Sequence, residues 1–186
     1  MNEAIKKALE VLRSGGVILY PTDTIWGIGC DATNDEAVNR IYEIKKRNDQ
    51  KSMLVLLDSV AKLDRYVSDV PELAYDLIEM SEKPLTIIYE KSKNLSSNVS
   101  KTDDTIGIRI TQEAFSKRLI EQFKRPIIST SANVSGEASP ACFSDISEEI
   151  KSAVDYVVDY RQEDEEATPS SIIMLGNNSS IKVIRE

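Results

Sequence analysis

One α+β domain of three layers, built on a mixed β-sheet, is the fold this sequence predicts, and three observations carry it. Short apolar runs alternate with amphipathic helical stretches, which is the pattern of βα units. Other strand-like runs sit close together without a helix between them, as at 171–175 and 181–185, and read as antiparallel neighbours. No repeat, heptad or long linker divides the 186 residues, a length that suits a single domain over 1–186.

The elements follow in order. Residues 3–13 place Ile5, Ala8, Leu9 and Leu12 on one helical face, and Gly15-Gly16 stops the helix. Residues 17–20 form a buried strand ended by Pro21, and 25–30 a second strand whose Gly27 and Gly29 allow close backbone approach. Asn34 or Asp35 caps a helix reaching about residue 46, with Val38, Ile41 and Tyr42 inward. A strand at 53–57 precedes two helices, one near 59–66 and one opened by Pro71 in its first turn. Strands at 85–89 and 105–110 flank a polar loop, 91–104. A helix at 113–123, a strand at 127–130, a loop at 131–140, a helix at 144–152 and a strand at 156–160 come next. After the acidic loop 163–166, a hairpin turns at Gly176-Asn177-Asn178.

Composition narrows the chemistry. Histidine is absent, which removes His-activated serine or cysteine nucleophiles and His-containing zinc sites. Two cysteines, Cys30 and Cys142, are too few for a disulfide framework or a thiolate metal site. Catalysis must rest on Lys, Arg, carboxylates, hydroxyls, amides or a hard metal, an inventory that suits phosphate chemistry. With 23 basic and 31 acidic residues, a net charge of −8 argues against nucleic-acid binding over the whole surface. No signal peptide and no membrane-length apolar run is seen, so a cytosolic protein without membrane contact is expected.

Four segments and one arginine could carry a site, and each also has a bland reading. Pro21-Thr22-Asp23-Thr24-Ile25-Trp26-Gly27-Ile28-Gly29-Cys30 puts two hydroxyls and a carboxylate just past a strand end, where α/β ligands bind, or is simply a capped turn. Lys45-Lys46-Arg47-Asn48 can grip phosphate or merely complement a helix C-terminus. Ser129-Thr130-Ser131-Ala132-Asn133-Val134-Ser135-Gly136 can hold phosphate or ribose oxygens without being a P-loop, or can be a surface turn. Pro169-Ser170-Ser171 lines the same cleft or is a plain entry to a strand. Arg109, inside an apolar strand, must face solvent, a partner or a ligand.

In this order and spacing the segments resemble the YrdC-like family of threonylcarbamoyl-adenylate synthases, nearly end to end. The first is similar to the family's Pro-Thr-(Asp/Glu)-Thr-(aromatic)-Gly-Leu-Gly, and Lys45-Lys46-Arg47 to its Lys-x-Arg. Residues 129–136 are similar to Ser-Thr-Ser-Ala-Asn-x-Ser-Gly, Arg109 to a family strand arginine, and Ser170-Ser171 to a Ser-Thr pair. The resemblance implies a strongly twisted mixed sheet around a concave cavity. It implies formation of threonylcarbamoyl-AMP and pyrophosphate from L-threonine, bicarbonate or CO2, and ATP, with Mg2+ accompanying ATP and no organic cofactor. The product would pass to a downstream threonylcarbamoyl transferase that modifies tRNA. Lys45 and Arg47 would be catalytic and phosphate-binding, with Ser129, Ser131, Asn133 and Ser171 on the nucleotide. Thr22, Thr24, Trp26 and Arg109 would form the amino-acid side. The metal's ligands are not legible.

Departures from the family pattern are Trp26 for Tyr, Asn48 for Pro, and Ser81-Glu82-Lys83-Pro84-Leu85-Thr86 for Trp-Pro-Gly-Pro-Leu-Thr. The chain resembles the family's short form. Two rival expectations are a non-catalytic nucleotide- or RNA-binding module of the same fold and a carbamoyl-transfer domain like that of larger hydrogenase-maturation proteins.

Overall fold

The protein is described from a computed structural model covering residues 1–46, 53–99, 104–164, 168–176 and 180–186. Among these residues nine strands join in one sheet. They are β1 (Ile18–Tyr20), β2 (Gly27–Gly29), β3 (Leu54–Leu57), β4 (Leu85–Tyr89), β5 (Ile106–Ile110), β6 (Ile127–Ser131), β7 (Tyr156–Val157), β8 (Ser171–Leu175) and β9 (Ile181–Arg185). The order is β7-β1-β2-β6-β3-β5-β4-β8-β9. The pairs β1–β7, β3–β5 and β4–β8 are parallel and the rest antiparallel, so the sheet is mixed, as predicted. It twists and does not close, because β7 and β9 stand at opposite ends.

Side-chain alternation explains the two helical layers. In the register of β3 with β6, Val55 lies opposite Ile128 and Leu56 opposite Ile127. Leu56 and Ile127 point to one face, where α1 (Asn2–Arg13) and α4 (Ala114–Phe123) bury Leu9, Leu12, Phe115 and Leu119. Val55 and Ile128 point to the other, beneath α2 (Asp35–Ile44) and α3 (Glu72–Met80), where Val38, Ile41 and Ala74 pack. Each fully buried Leu or Ile contributes about 1.5–3 kcal/mol. The predicted three-layer α+β fold is the one observed.

The predicted elements hold with shifts that have local causes. Asn34 is the cap of α2, its side chain accepting from the Ala37 amide at 3.1 Å. Glu113, predicted inside α4, caps it instead, its carboxylate accepting from the amides of Phe115 and Ser116 at 3.0 and 2.7 Å. The helix predicted at 59–66 is a tighter 3-10 turn, Val60–Arg65. The one predicted at 144–152 splits into a 3-10 turn, Phe143–Asp145, and α5 (Glu148–Ala153), because Ser147 caps a fresh helix through the Ile150 amide. The strand predicted at 156–160 ends at Val157. The β8–β9 hairpin is present, its turn at 177–179 lying outside the described residues.

Gly29 shows the close approach its sequence position suggests. A Cβ there would sit 2.5 Å from the Ile128 carbonyl oxygen and 2.6 Å from the Tyr20 ring. Only glycine lets β2 run this tightly between β1 and β6.

Candidate active site

A cavity of about 630 Å3 opens on the sheet and draws its lining from distant parts of the chain. Thr24, Trp26, Arg109, Ser129 and Ser131 face it together, along with Thr86, Thr105, Ser139, Ser170 and Arg185. Five of the residues given a site role from the sequence therefore meet at one place, with Ser170 of the fourth segment beside them. Four others lie just behind the lining: Thr22, Lys45, Asn133 and Ser171. Arg47 lies outside the described residues, as does Asn48.

The first loop leaves β1 at Pro21. The Thr22 hydroxyl is consumed within it, accepting from the Thr24 amide at 3.0 Å and donating to the Ile25 carbonyl at 2.8 Å. It also lies 3.0 Å from the Thr24 hydroxyl. This local knot turns Thr24 toward the cavity and leaves Thr22, buried, as its support. Trp26 forms a wall and is itself held by Phe143, ring centroids 4.8 Å apart.

Arg109 on β5 is 3% exposed and forms an ion pair with Asp23 of the first loop, Nε to Oδ1, at 3.1 Å. The distance is that of a pair, yet neither atom has a hydrogen bond of good geometry. Burial raises the Asp23 carboxyl above the ordinary carboxylate range, and the Arg109 charge opposes that rise. Burial likewise lowers Arg109, which Asp23 opposes. A guanidinium this poorly solvated is poised to gain from an anion entering the cavity.

The second loop follows β6. Here the Lys45 side chain meets the backbone. The residue is 3% exposed, and its ammonium donates to the backbone carbonyls of Ser131 at 2.5 Å and Asn133 at 2.7 Å. The Lys45 carbonyl accepts from the Ser135 amide at 2.8 Å. Lys45 thus pins the loop that carries Ser131 into the cavity. The Asn133 amide nitrogen donates to the carbonyls of Val134 and Glu137 at 3.0 and 2.8 Å. Its Oδ1 is buried without a hydrogen bond. Lys46, between the two predicted cations, turns outward with φ 48° and pairs with Glu149 at 2.6 Å.

The third wall comes from the terminal hairpin. The Ser170 hydroxyl lies 2.8 Å from that of Thr86, and its carbonyl accepts from Arg185 Nε at 3.0 Å and Nη2 at 2.8 Å. Ser171 begins β8 and donates its amide to the Pro84 carbonyl at 3.1 Å. So of the serine pair it is Ser170 that reaches the cavity. Thr86, Thr105, Arg185 and Asp23's pairing are what sequence reading missed. Arg185 carried a signal, a charge in an apolar strand like Arg109. Thr86 lies opposite Arg109 in the β4–β5 register, which only pairing reveals.

Among the described residues no group of three His, Cys, Asp or Glu could hold a metal, and no helix is long and apolar enough to cross a membrane.

Similarity to known proteins agrees with this fold. A profile of the Sua5_yciO_yrdC family, described as telomere recombination, matches residues 10–186. A threonylcarbamoyl-AMP synthase of Pseudoalteromonas translucida is 33% identical over 161 residues, covering 85% of this chain and 86% of its own. The Homo sapiens threonylcarbamoyl-AMP synthase is 37% identical over 140 residues, 74% of this chain and 49% of its own, so the chain spans about half of that relative. The structure of P. abyssi Sua5 complexed with L-threonine superposes with a TM-score of 0.82 at 28% identity, covering 92% of this chain and 50% of that one. E. coli YciO shares the fold, with a TM-score of 0.85 at 24% identity over all of this chain and 90% of its own.

Proposed function

The chain belongs to the Sua5/YciO/YrdC family, and from that membership and the cavity we propose that it is an L-threonylcarbamoyladenylate synthase serving tRNA modification. The observation that carries this is the convergence of Arg109, Thr24, Trp26, Ser129 and Ser131 on one cavity in a chain whose curated relatives bear that name. Those names favour turnover over a module that only binds nucleotide or RNA.

The reaction asks for an amino acid, a carbon dioxide equivalent and ATP. The neutral threonine amine takes up CO2 to give a carbamate with loss of one proton; from bicarbonate, water leaves in place of that proton. A carbamate oxygen then forms a bond to the α-phosphorus of ATP while the bond to the β-phosphate oxygen breaks and pyrophosphate departs. Arg109, buried and backed by Asp23, receives the threonine carboxylate, and Thr24 and Trp26 shape the amino-acid side. Ser129 and Ser131 donate to phosphate or ribose oxygens. Asn133 and Ser171 support that nucleotide side from just behind the lining. Lys45 contributes by fixing the second loop, and Arg47 is the proposed phosphate cation. Preorganised donors of this kind are the main source of rate in such transfers. Magnesium would enter with ATP as the counter-ion of its phosphates, and the Ser129 and Ser131 hydroxyls of the lining would face that side of the cavity. The adenylate then goes to a transferase acting on tRNA.

The test is pyrophosphate release by purified protein with each substrate omitted in turn. Release that needs both threonine and bicarbonate is expected. Equal release without threonine overturns the assignment.

A further inference from the structure

Arg161, which nothing in the sequence singled out, occupies an unusual position. Its backbone φ is 60°, the left-handed region that a residue with a Cβ seldom adopts. Such outliers persist where surrounding contacts hold them, and they cluster at functional sites. The contacts here come from three segments. Nη1 donates to the Thr22 carbonyl at 3.3 Å and lies 3.3 Å from Glu113 Oε1, while Nε pairs with Asp164 Oδ2 at 2.5 Å.

An arginine serving only the surface would need no more than Asp164, three residues on. The other two contacts point inward. Glu113 is the buried cap of α4, fixed by the Phe115 and Ser116 amides. Ser116, from that same first turn, donates its hydroxyl to the Pro21 carbonyl at 2.9 Å. Two successive carbonyls of the first loop, those of Pro21 and Thr22, are thus tied to the start of α4, one directly and one through Arg161. The Thr22 carbonyl belongs to the peptide plane whose nitrogen is that of Asp23. Holding that plane sets where Asp23 meets Arg109 and where Thr24 faces the cavity.

We propose that Arg161 is a positioning residue for the amino-acid side of the cavity, holding the Thr22–Asp23 peptide so that the Asp23–Arg109 pair and the Thr24 hydroxyl present a fixed receptor to the substrate's carboxylate. It touches no substrate. The proposal rests on the reading of this cavity as an L-threonine site.

The left-handed backbone supplies a clean experiment. Arg161→Ala removes the guanidinium and keeps the strain; Arg161→Gly removes both, because glycine adopts φ near 60° freely. A merely structural role predicts that the glycine variant, being less strained, recovers what the alanine variant loses. A positioning role predicts that both lose threonine equally while the glycine variant melts higher. Threonine and ATP binding are measured separately by calorimetry, and amide exchange is followed at residues 23–25 and 133–135. Both variants should bind threonine about tenfold or more weakly, with ATP affinity within about twofold, as expected when a substrate-side group is displaced but the chemistry's other half is untouched. Exchange should quicken at 23–25 alone, and Arg161→Lys should recover part of the affinity. Unchanged threonine affinity in Arg161→Gly, or unchanged exchange at 23–25, overturns the proposal. Wild-type protein that binds no threonine overturns the functional reading instead, and the exchange data then decide the brace by themselves.

Discussion

Two hydroxyl-rich loops border the cavity, and they are held in opposite ways. The loop after β1 is secured piecemeal, by the Thr22 hydroxyl inside it, by Ser116 on the Pro21 carbonyl, by Arg161 on the Thr22 carbonyl and by Arg109 on Asp23. The loop after β6 is held mainly by the buried Lys45, whose ammonium takes two of its carbonyls and whose own carbonyl accepts from Ser135, with the Asn133 side chain donating to two carbonyls more. Anchoring spread over several side chains fails gradually, whereas losing one buried charge removes two contacts at once. The difference also shows that a basic residue of a sequence motif can bind backbone carbonyls across the fold.

The largest effect should come from Lys45→Met, which keeps the apolar stem and removes the ammonium. Two buried carbonyls lose their donor, at about 1–3 kcal/mol each. In a chain this size that lowers Tm by about 2–4 °C per kcal/mol. Activity should fall about a hundredfold as Ser131 moves. Calorimetric melts beside pyrophosphate assays read both. Lost activity with an unchanged melt would make Lys45 a ligand to phosphate and erase the contrast.

Asp23→Asn comes next, since it leaves Arg109 buried without its counter-charge. Threonine affinity should drop more than ATP affinity. The variant also tests a sign. Asp23 has a folded-state pKa above its unfolded one, so its contribution to stability is present below the ordinary carboxylate range and is lost as pH rises through the higher folded value. Melts across that range should show wild type losing stability with rising pH relative to Asp23→Asn. The reverse slope would mean that the pairing with Arg109 outweighs burial.

Thr22→Val should do less. It preserves shape but strips the Thr24 amide of its acceptor, costing about 1–3 kcal/mol. The remaining anchors should keep activity within a few-fold, a smaller loss than Lys45→Met causes through the second loop. Collapse of activity here would show that the first loop is no more redundant than the second.

The smallest effect belongs to Lys46→Ala. Its pairing with Glu149 lies in solvent, where such contacts contribute little. Activity indistinguishable from wild type is expected. Damage comparable to Lys45→Met would misplace the boundary between anchor and surface.

Legibility followed the range of the physics. The buried faces of α1, α2 and α4 and the runs that became β3, β4 and β5 could be read because burial imposes periodicity on neighbours in sequence. The split at Ser147 could not, because one more cap among many serines decides it. Of the candidate site, Thr24, Trp26, Arg109, Ser129 and Ser131 were legible through the family resemblance of their segments, which pattern alone left with a bland reading as good. Thr86 and Arg185 were not, since their relation to Arg109 and Ser170 depends on which strands pair.

By itself, then, the sequence determined the layer architecture, the absence of histidine chemistry and the motifs that border the cavity, because composition and short-range hydrophobic pattern dictate these directly. Only the tertiary structure decided that Thr22 and Lys45 serve their loops, that Asp23 backs Arg109, and that Arg161 reaches the Thr22 carbonyl 139 residues away. A side chain's employment depends on which backbone groups are left unsatisfied near it, and that is fixed only when the sheet order brings remote segments together.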